Sequence, residues 1–162
     1  MSQQILGVGE MGVVQGDGKT LKIYALGSCV ATVLWERESK TLAVSHVALP
    51  ESANNPEKAR EMPGYFADTA VVEMINRMKG LGAKLERGGV VVKLVGGAQM
   101  MDQEGTFNIG KRNVLTLKKV LWAKGMAPLA EEVGSDISRT VTIYSGSGKV
   151  EIATAGLESR VL

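Results

Sequence analysis

The chain has 162 residues, 44% of them apolar and 22% charged, a formal charge of +2, one cysteine and one histidine. That is enough chain for a single domain with a real core, expected over residues 1–162, and too little net charge to argue for a nucleic-acid partner. No run of about 18 apolar residues offers a membrane span. The N-terminus lacks the regions of a signal peptide, and one cysteine forms no internal disulfide, so the cytoplasm is the expected compartment.

Strands are expected at 3–7 and 11–14. Between them Gly7-Val8-Gly9-Glu10-Met11-Gly12 matches the dinucleotide-binding pattern G-x-G-x-x-G. Such a site needs a helix to open at the glycines, and Gly16-Asp17-Gly18 breaks the chain too soon. The segment reads instead as Gly-rich strands and turns, with no cofactor. A third strand, 20–26, runs into Leu26-Gly27-Ser28-Cys29-Val30, where Gly27 permits a sharp turn just ahead of the thiol.

Residues 30–35 and 41–49 are rich in β-branched and aromatic side chains and read as a hairpin. The polar stretch Glu36-Arg37-Glu38-Ser39 is its expected loop. If Trp35 faces Lys40, Cys29 falls directly opposite His46. Directly opposed residues share a face with Cβ atoms about 4.5–5.5 Å apart. A thiol beside an imidazole can act as an activated nucleophile. On residue types alone the pair also fits a buried cysteine and a structural histidine.

Residues 51–63, with Pro50 just before them, Pro56 and Pro63 within them and two asparagines, are expected to form a long polar loop close to the histidine. A helix is expected over 66–79, with Phe66, Ala67, Ala70, Val71, Met74, Ile75 and Met78 on one stripe. Residues 90–95 form a β-branched run suited to a strand covered on both faces. The loop after it, Gly96-Gly97-Ala98-Gln99-Met100-Met101, is too rich in glycine and methionine for a mere spacer. Asn108 is placed to cap a second helix over 109–124, with Val114, Leu117 and Leu121 on its core face. Strands at 128–133, 138–144 and 149–154 close the chain, the last two joined by a turn at Ser145-Gly146-Ser147-Gly148. The order of elements argues an α+β fold, with sheet packed on sheet and helices on one outer face.

With these motifs in place, the sequence resembles the CheD family, the chemoreceptor glutamine deamidases of bacterial chemotaxis. The resemblance is carried by Leu26-Gly27-Ser28-Cys29-Val30, His46-Val47-Ala48-Leu49-Pro50, Tyr65-Phe66-Ala67-Asp68-Thr69-Ala70, Gly96-Gly97-Ala98-Gln99-Met100 and Asn108-Ile109-Gly110-Lys111-Arg112-Asn113-Val114. It implies a cysteine hydrolase fold unrelated to papain and similar to that of the deamidating cytotoxic-necrotizing-factor toxins. The family nucleophile falls on Cys29 and its histidine on His46. The family places a histidine-orienting threonine six residues before the cysteine; Ile23 stands there, which leaves Thr20, Tyr24 and Ser45 as candidate orienters.

The implied activity is conversion of receptor glutamines to glutamate through a thioester. Backbone N–H groups around Gly27 and Ser28 would support the oxyanion. A glutamyl methyl ester presents a similar carbonyl, so methylesterase activity is compatible with the same site. The implied partners are the cytoplasmic domains of methyl-accepting chemoreceptors and a CheC-type phosphatase, with Met100 and Met101 as candidate contacts. No metal or cofactor, no nucleic acid and no membrane insertion are implied. The alternative is a docking module for receptors and CheC with little catalysis.

Overall fold

The structure, a computed structural model, describes residues 2–86, 88–99 and 108–162. In chain order the elements are β1 (Ser2–Ile5), β2 (Met11–Gln15), β3 (Lys19–Leu26), β4 (Val30–Glu36), β5 (Thr41–Val47), α1 (Pro56–Glu61), α2 (Ala67–Gly80), β6 (Val90–Gly96), α3 (Ile109–Ala123), β7 (Ala130–Val133), β8 (Arg139–Tyr144), β9 (Val150–Ala153) and β10 (Arg160–Val161). The strands form two five-stranded sheets, one in the order β1-β3-β8-β9-β10 and the other β2-β5-β4-β6-β7.

The second sheet is the middle layer. Every residue of β4 and β5 is buried. One face of these strands, with Ala31, Val33, Trp35, Leu42 and Val44, packs on Leu21, Ile23, Val141 and Ile143 of the first sheet. The other face, with Val30, Leu34, Ala43 and Val47, packs on α2 and α3 through residues such as Met74, Met78, Leu117 and Leu121. Strands covered on both faces need near-continuous apolar runs, which is why these segments do not alternate with polar residues. The result is the expected α+β sandwich with helices on one outer face. Among the described residues no helix is long and apolar enough to cross a membrane.

Three local expectations are corrected. The polar stretch after Pro50 is not plain loop: the Asn55 side chain accepts from Lys58 N at 3.1 Å and opens α1, with Pro56 in its first turn. Asn108 does not cap α3 with its side chain; its backbone is left-handed, with φ of 48°. The hairpin register is also different. Glu36 faces Thr41, Trp35 faces Leu42 and Ala31 faces His46, so the loop is 37–40 rather than 36–39. Glu36 was expected in the loop because it is charged, yet it is only 3% exposed. Its carboxylate accepts from the N–H groups of Glu38 and Ser39 and from the Ser39 hydroxyl, which closes the loop one residue later.

Candidate active site

Cys29 precedes β4 and His46 lies near the end of β5, so both sit at one end of the middle sheet. The observed register carried on by one residue sets Cys29 against Ala48, not His46. The pair still shares a face. Ala31 lies opposite His46 and faces the inter-sheet core, and Cys29, two residues before it, packs against that same core. They are diagonal rather than direct neighbours, a relation that sets residues roughly 7–8 Å apart. Accordingly, among the described residues no hydrogen bond joins the Cys29 sulfur to His46.

The turn carrying Cys29 is held from three sides. Ala98 N donates to Gly27 O at 2.9 Å, and Gly97 N donates to Cys29 O at 2.9 Å. The Asn113 side-chain amide donates to Ser28 O at 3.1 Å. The carbonyls of Gly27, Ser28 and Cys29 are therefore all engaged. Among the described residues, the N–H groups of Ser28 and Cys29 have no backbone partner. Gly96, at φ of 118°, has to be glycine, because a Cβ there would overlap the Cys29 carbonyl. Gly110 in α3 likewise lies against the backbone of Gly97 and Ala98, where any side chain would collide.

Upstream, β3 carries a bulge between Ile23 and Leu26, with Ala25 at φ of 53° and its N–H on Thr140 Oγ1 at 3.1 Å. The extra residue lets Ile23 and Leu26, three apart, both enter the inter-sheet core.

His46 is held by the segment that mimics a dinucleotide motif. Gly9 N donates to His46 O at 2.8 Å and His46 N donates to Glu10 O at 3.0 Å. A strand, β2, follows the glycines instead of a helix. The imidazole Nδ1 lies 3.2 Å from Leu6 O. A carbonyl can only accept, so Nδ1 carries the proton and Nε2 is left as the basic nitrogen. Among the described residues the ring nitrogen meets the Leu6 carbonyl rather than a side chain of Thr20, Tyr24 or Ser45, the candidate orienters. The Ser45 hydroxyl donates instead to Gly64 O at 2.9 Å. Tyr24 is 53% exposed, with Lys22 over its ring. Thr20 lies on β3 opposite Gln3 and Tyr144, and alternates with the core-facing Leu21. Ile23 is fully buried in the inter-sheet core.

Burial pushes the Cys29 thiol up from its ordinary value. Burial also pushes His46 below the usual histidine value, opposed by the Leu6 and Gly7 carbonyls and by the Glu10 carboxylate. The resting pair is therefore a thiol and a neutral imidazole rather than an ion pair. Met100 and Met101 lie outside the described residues. Among the described residues, no group of three or more His, Cys, Asp and Glu side chains could hold a metal. A surface cleft of 720 Å³ is lined by residues including Leu85, Val90, Trp122 and Met126, and by neither Cys29 nor His46.

Residues 48–154 match the family profile described as CheD chemotactic sensory transduction. The chain belongs to the CheD family. Over 96% of its length it is 48% identical to the probable chemoreceptor glutamine deamidase CheD of Syntrophotalea carbinolica, of which the alignment covers 96%. It is 37% identical over 95% of its length to the chemoreceptor glutamine deamidase CheD of Thermotoga maritima, covering 93% of that protein. A probable chemoreceptor glutamine deamidase CheD of Solibacter usitatus is 36% identical over the whole chain and 95% of its own length. The profile match begins at Ala48, just past His46, whereas the pairwise alignments cover nearly the whole chain.

Two features of this CheD-family site escape a reading of residue types. The Leu6 carbonyl is backbone and leaves no mark in the sequence. Asn113 is visible only as a polar residue inside the apolar stripe of α3, next to Val114. It is fully buried, and that signal was available: a buried amide needs partners.

Proposed function

We propose that this protein is a chemoreceptor glutamine deamidase, a single cytoplasmic domain that uses Cys29 as nucleophile and His46 as general base and acid. The observation that carries the reading is the oriented imidazole. His46 is fixed with Nε2 free, on the same face and at the same sheet end as the only cysteine.

The chemistry follows from the resting protonation states. His46 Nε2 takes the Cys29 proton as the sulfur attacks the carboxamide carbon of a receptor glutamine, with a side-chain rotation closing the gap; catalytic hydrogen bonds often tighten only with substrate bound. The oxyanion is received by the N–H groups of the Ser28–Cys29 turn. Imidazolium then protonates the leaving ammonia, and a thioester remains. His46 removes a proton from water, hydroxide adds to the thioester, and the sulfur leaves to give glutamate. A glutamyl methyl ester would traverse the same thioester with methanol as leaving group. A CheC-type phosphatase docking on the loop after β6 would press on Gly97 and Ala98, the residues that hold the Cys29 turn.

The test is intact-mass analysis of a chemoreceptor cytoplasmic segment incubated with the protein: each glutamine converted adds about 1 Da, and Cys29→Ala abolishes the change because no other side chain here supplies a thiolate. His46→Ala is expected to slow the reaction by about 10²–10⁴-fold. Identical receptor masses with wild type and Cys29→Ala would replace the enzyme with a docking module.

A further inference from the structure

Asn113 has no part in the chemistry above, yet it touches both halves of the site. Its side-chain amide donates to Ser28 O at 3.1 Å and to Ala48 O at 3.0 Å. Ser28 precedes the nucleophile, and Ala48 follows His46 by two residues. The regular pairing of β4 with β5 ends at Val30 and Val47. Past that pair the strands part: Ala48 N donates to Tyr65 O, and Cys29 O accepts from Gly97 N. Two carbonyls, Ser28 O and Ala48 O, are left converging on one buried side chain. Two acceptors can be joined only by a group with two donors, and an amide NH₂ is the smallest neutral side-chain group that has them.

We propose that Asn113 is a positioning residue that aims the Cys29 N–H at the oxyanion, an inference that rests on the deamidase reading above. The Ser28–Cys29 peptide is planar and trans, so its C=O and N–H point in opposite directions. Asn113 fixes the C=O toward α3, which packs on the helix-covered face of the middle sheet. The Cys29 N–H then points away from α3, toward the face that carries Cys29 and His46. The neighbouring carbonyls of Gly27 and Cys29 are held by backbone N–H groups, so among the described residues the Ser28 peptide is the part of this turn pinned by a side chain. Asn113 Oδ1 is buried without a partner among the described residues, so the amide is held in place by its two donor contacts.

The experiment compares two reactions of Cys29 in the full-length protein. Deamidation of a chemoreceptor cytoplasmic segment passes through an oxyanion; alkylation by iodoacetamide does not. A control comes first: if wild type does not deamidate the segment, or Cys29→Ala does, the deamidase reading falls and this proposal with it. With that control passed, Asn113→Ala is expected to lower kcat by about 10²–10³-fold, the usual effect of losing an oxyanion donor. KM and the rate and pH profile of alkylation are expected to stay within about threefold, because the thiol and His46 keep their surroundings. If Asn113→Ala melts below the assay temperature, Asn113→Ser, which retains one donor, carries the same expectations. A parallel fall in alkylation and kcat would overturn the proposal, as would an unchanged kcat. Unfolding of both variants would overturn it too, since a purely structural role would then suffice.

Discussion

Ile23→Thr restores the family threonine at a position where the structure leaves it nothing to do. Ile23 is fully buried, pairs with Val141 and faces the inter-sheet core. The substitution can be taken in two steps. Trimming Ile to Val costs about 0.5–1.5 kcal/mol in a packed core. Replacing a Val methyl by a hydroxyl without a partner adds about 1–3 kcal/mol of desolvation. The expected total is about 2–4 kcal/mol, which for a urea m-value near 2 kcal/mol/M lowers the midpoint by about 1–2 M. The deamidation rate of the folded fraction is expected to stay within about twofold, because the imidazole Nδ1 already donates to Leu6 O. The assay is urea unfolding followed by ammonia release at a denaturant-free concentration. A rate increase of tenfold or more, with little loss of stability, would refute the reasoning. It would mean that the new hydroxyl finds His46 and that the Leu6 carbonyl does not hold the working tautomer.

Two further outcomes concern pH. His46 is the sole histidine, so its ring protons can be followed by NMR without assignment, and its pKa is expected below the model-peptide value of about 6.5. Burial is the main cause and the Glu10 carboxylate opposes it, so Glu10→Gln is expected to move the pKa, and the acid limb of the pH–rate profile, still lower; a rise would reject the assigned electrostatics. Glu132 accepts from Arg160 and Arg139 and is held below the usual carboxylate value, chiefly by Arg160. A carboxyl whose folded pKa is depressed stabilises the fold above its unfolded pKa, about 4.3, and that stability is lost as pH falls through the folded pKa. Glu132→Gln is therefore expected to cost about 1–3 kcal/mol at neutral pH, less than a fully buried pair, with the gap to wild type closing below about pH 4. Thermal melts at several pH values check this, and a gap that widens in acid would contradict it.

The layers of the fold were legible because they depend on patterns that packing enforces. The β-branched and aromatic residues of β4 and β5 announce strands, and the stripe of α2 announces the side it buries. The corrections fall where one side chain overrules a local pattern. Glu36 reads as a loop residue until its carboxylate is seen bonding the loop N–H groups from inside the strand. Asn108 reads as a cap, yet takes a left-handed backbone. At the site, the two chemical groups were legible as residue types, while their supports were not. Leu6 acts through its carbonyl, and Gly96 and Gly110 act by lacking a side chain where backbones meet.

The hairpin explains why a wrong register still left Cys29 and His46 on one face. Advancing the loop by one residue on both strands changes every cross-strand partner by two. Side chains alternate with period two, so a shift of two leaves each residue on the same face. Cys29 and His46 remained on one face under either pairing, and only their separation along the strands changed. A face is thus robust to this error, but a contact is not. Cys29 lies one residue beyond the last pair, Val30 with Val47, where ladder hydrogen bonds no longer set its position, while His46 sits one pair inside it, opposite Ala31. Supports from outside the hairpin complete the arrangement: the Leu6 carbonyl bonds the imidazole, and the Asn113 amide bonds the carbonyls of Ser28 and Ala48. Each of these contacts comes from a segment more than 35 residues away in the chain, so this local arrangement forms only once the first strands and α3 have docked on the middle sheet.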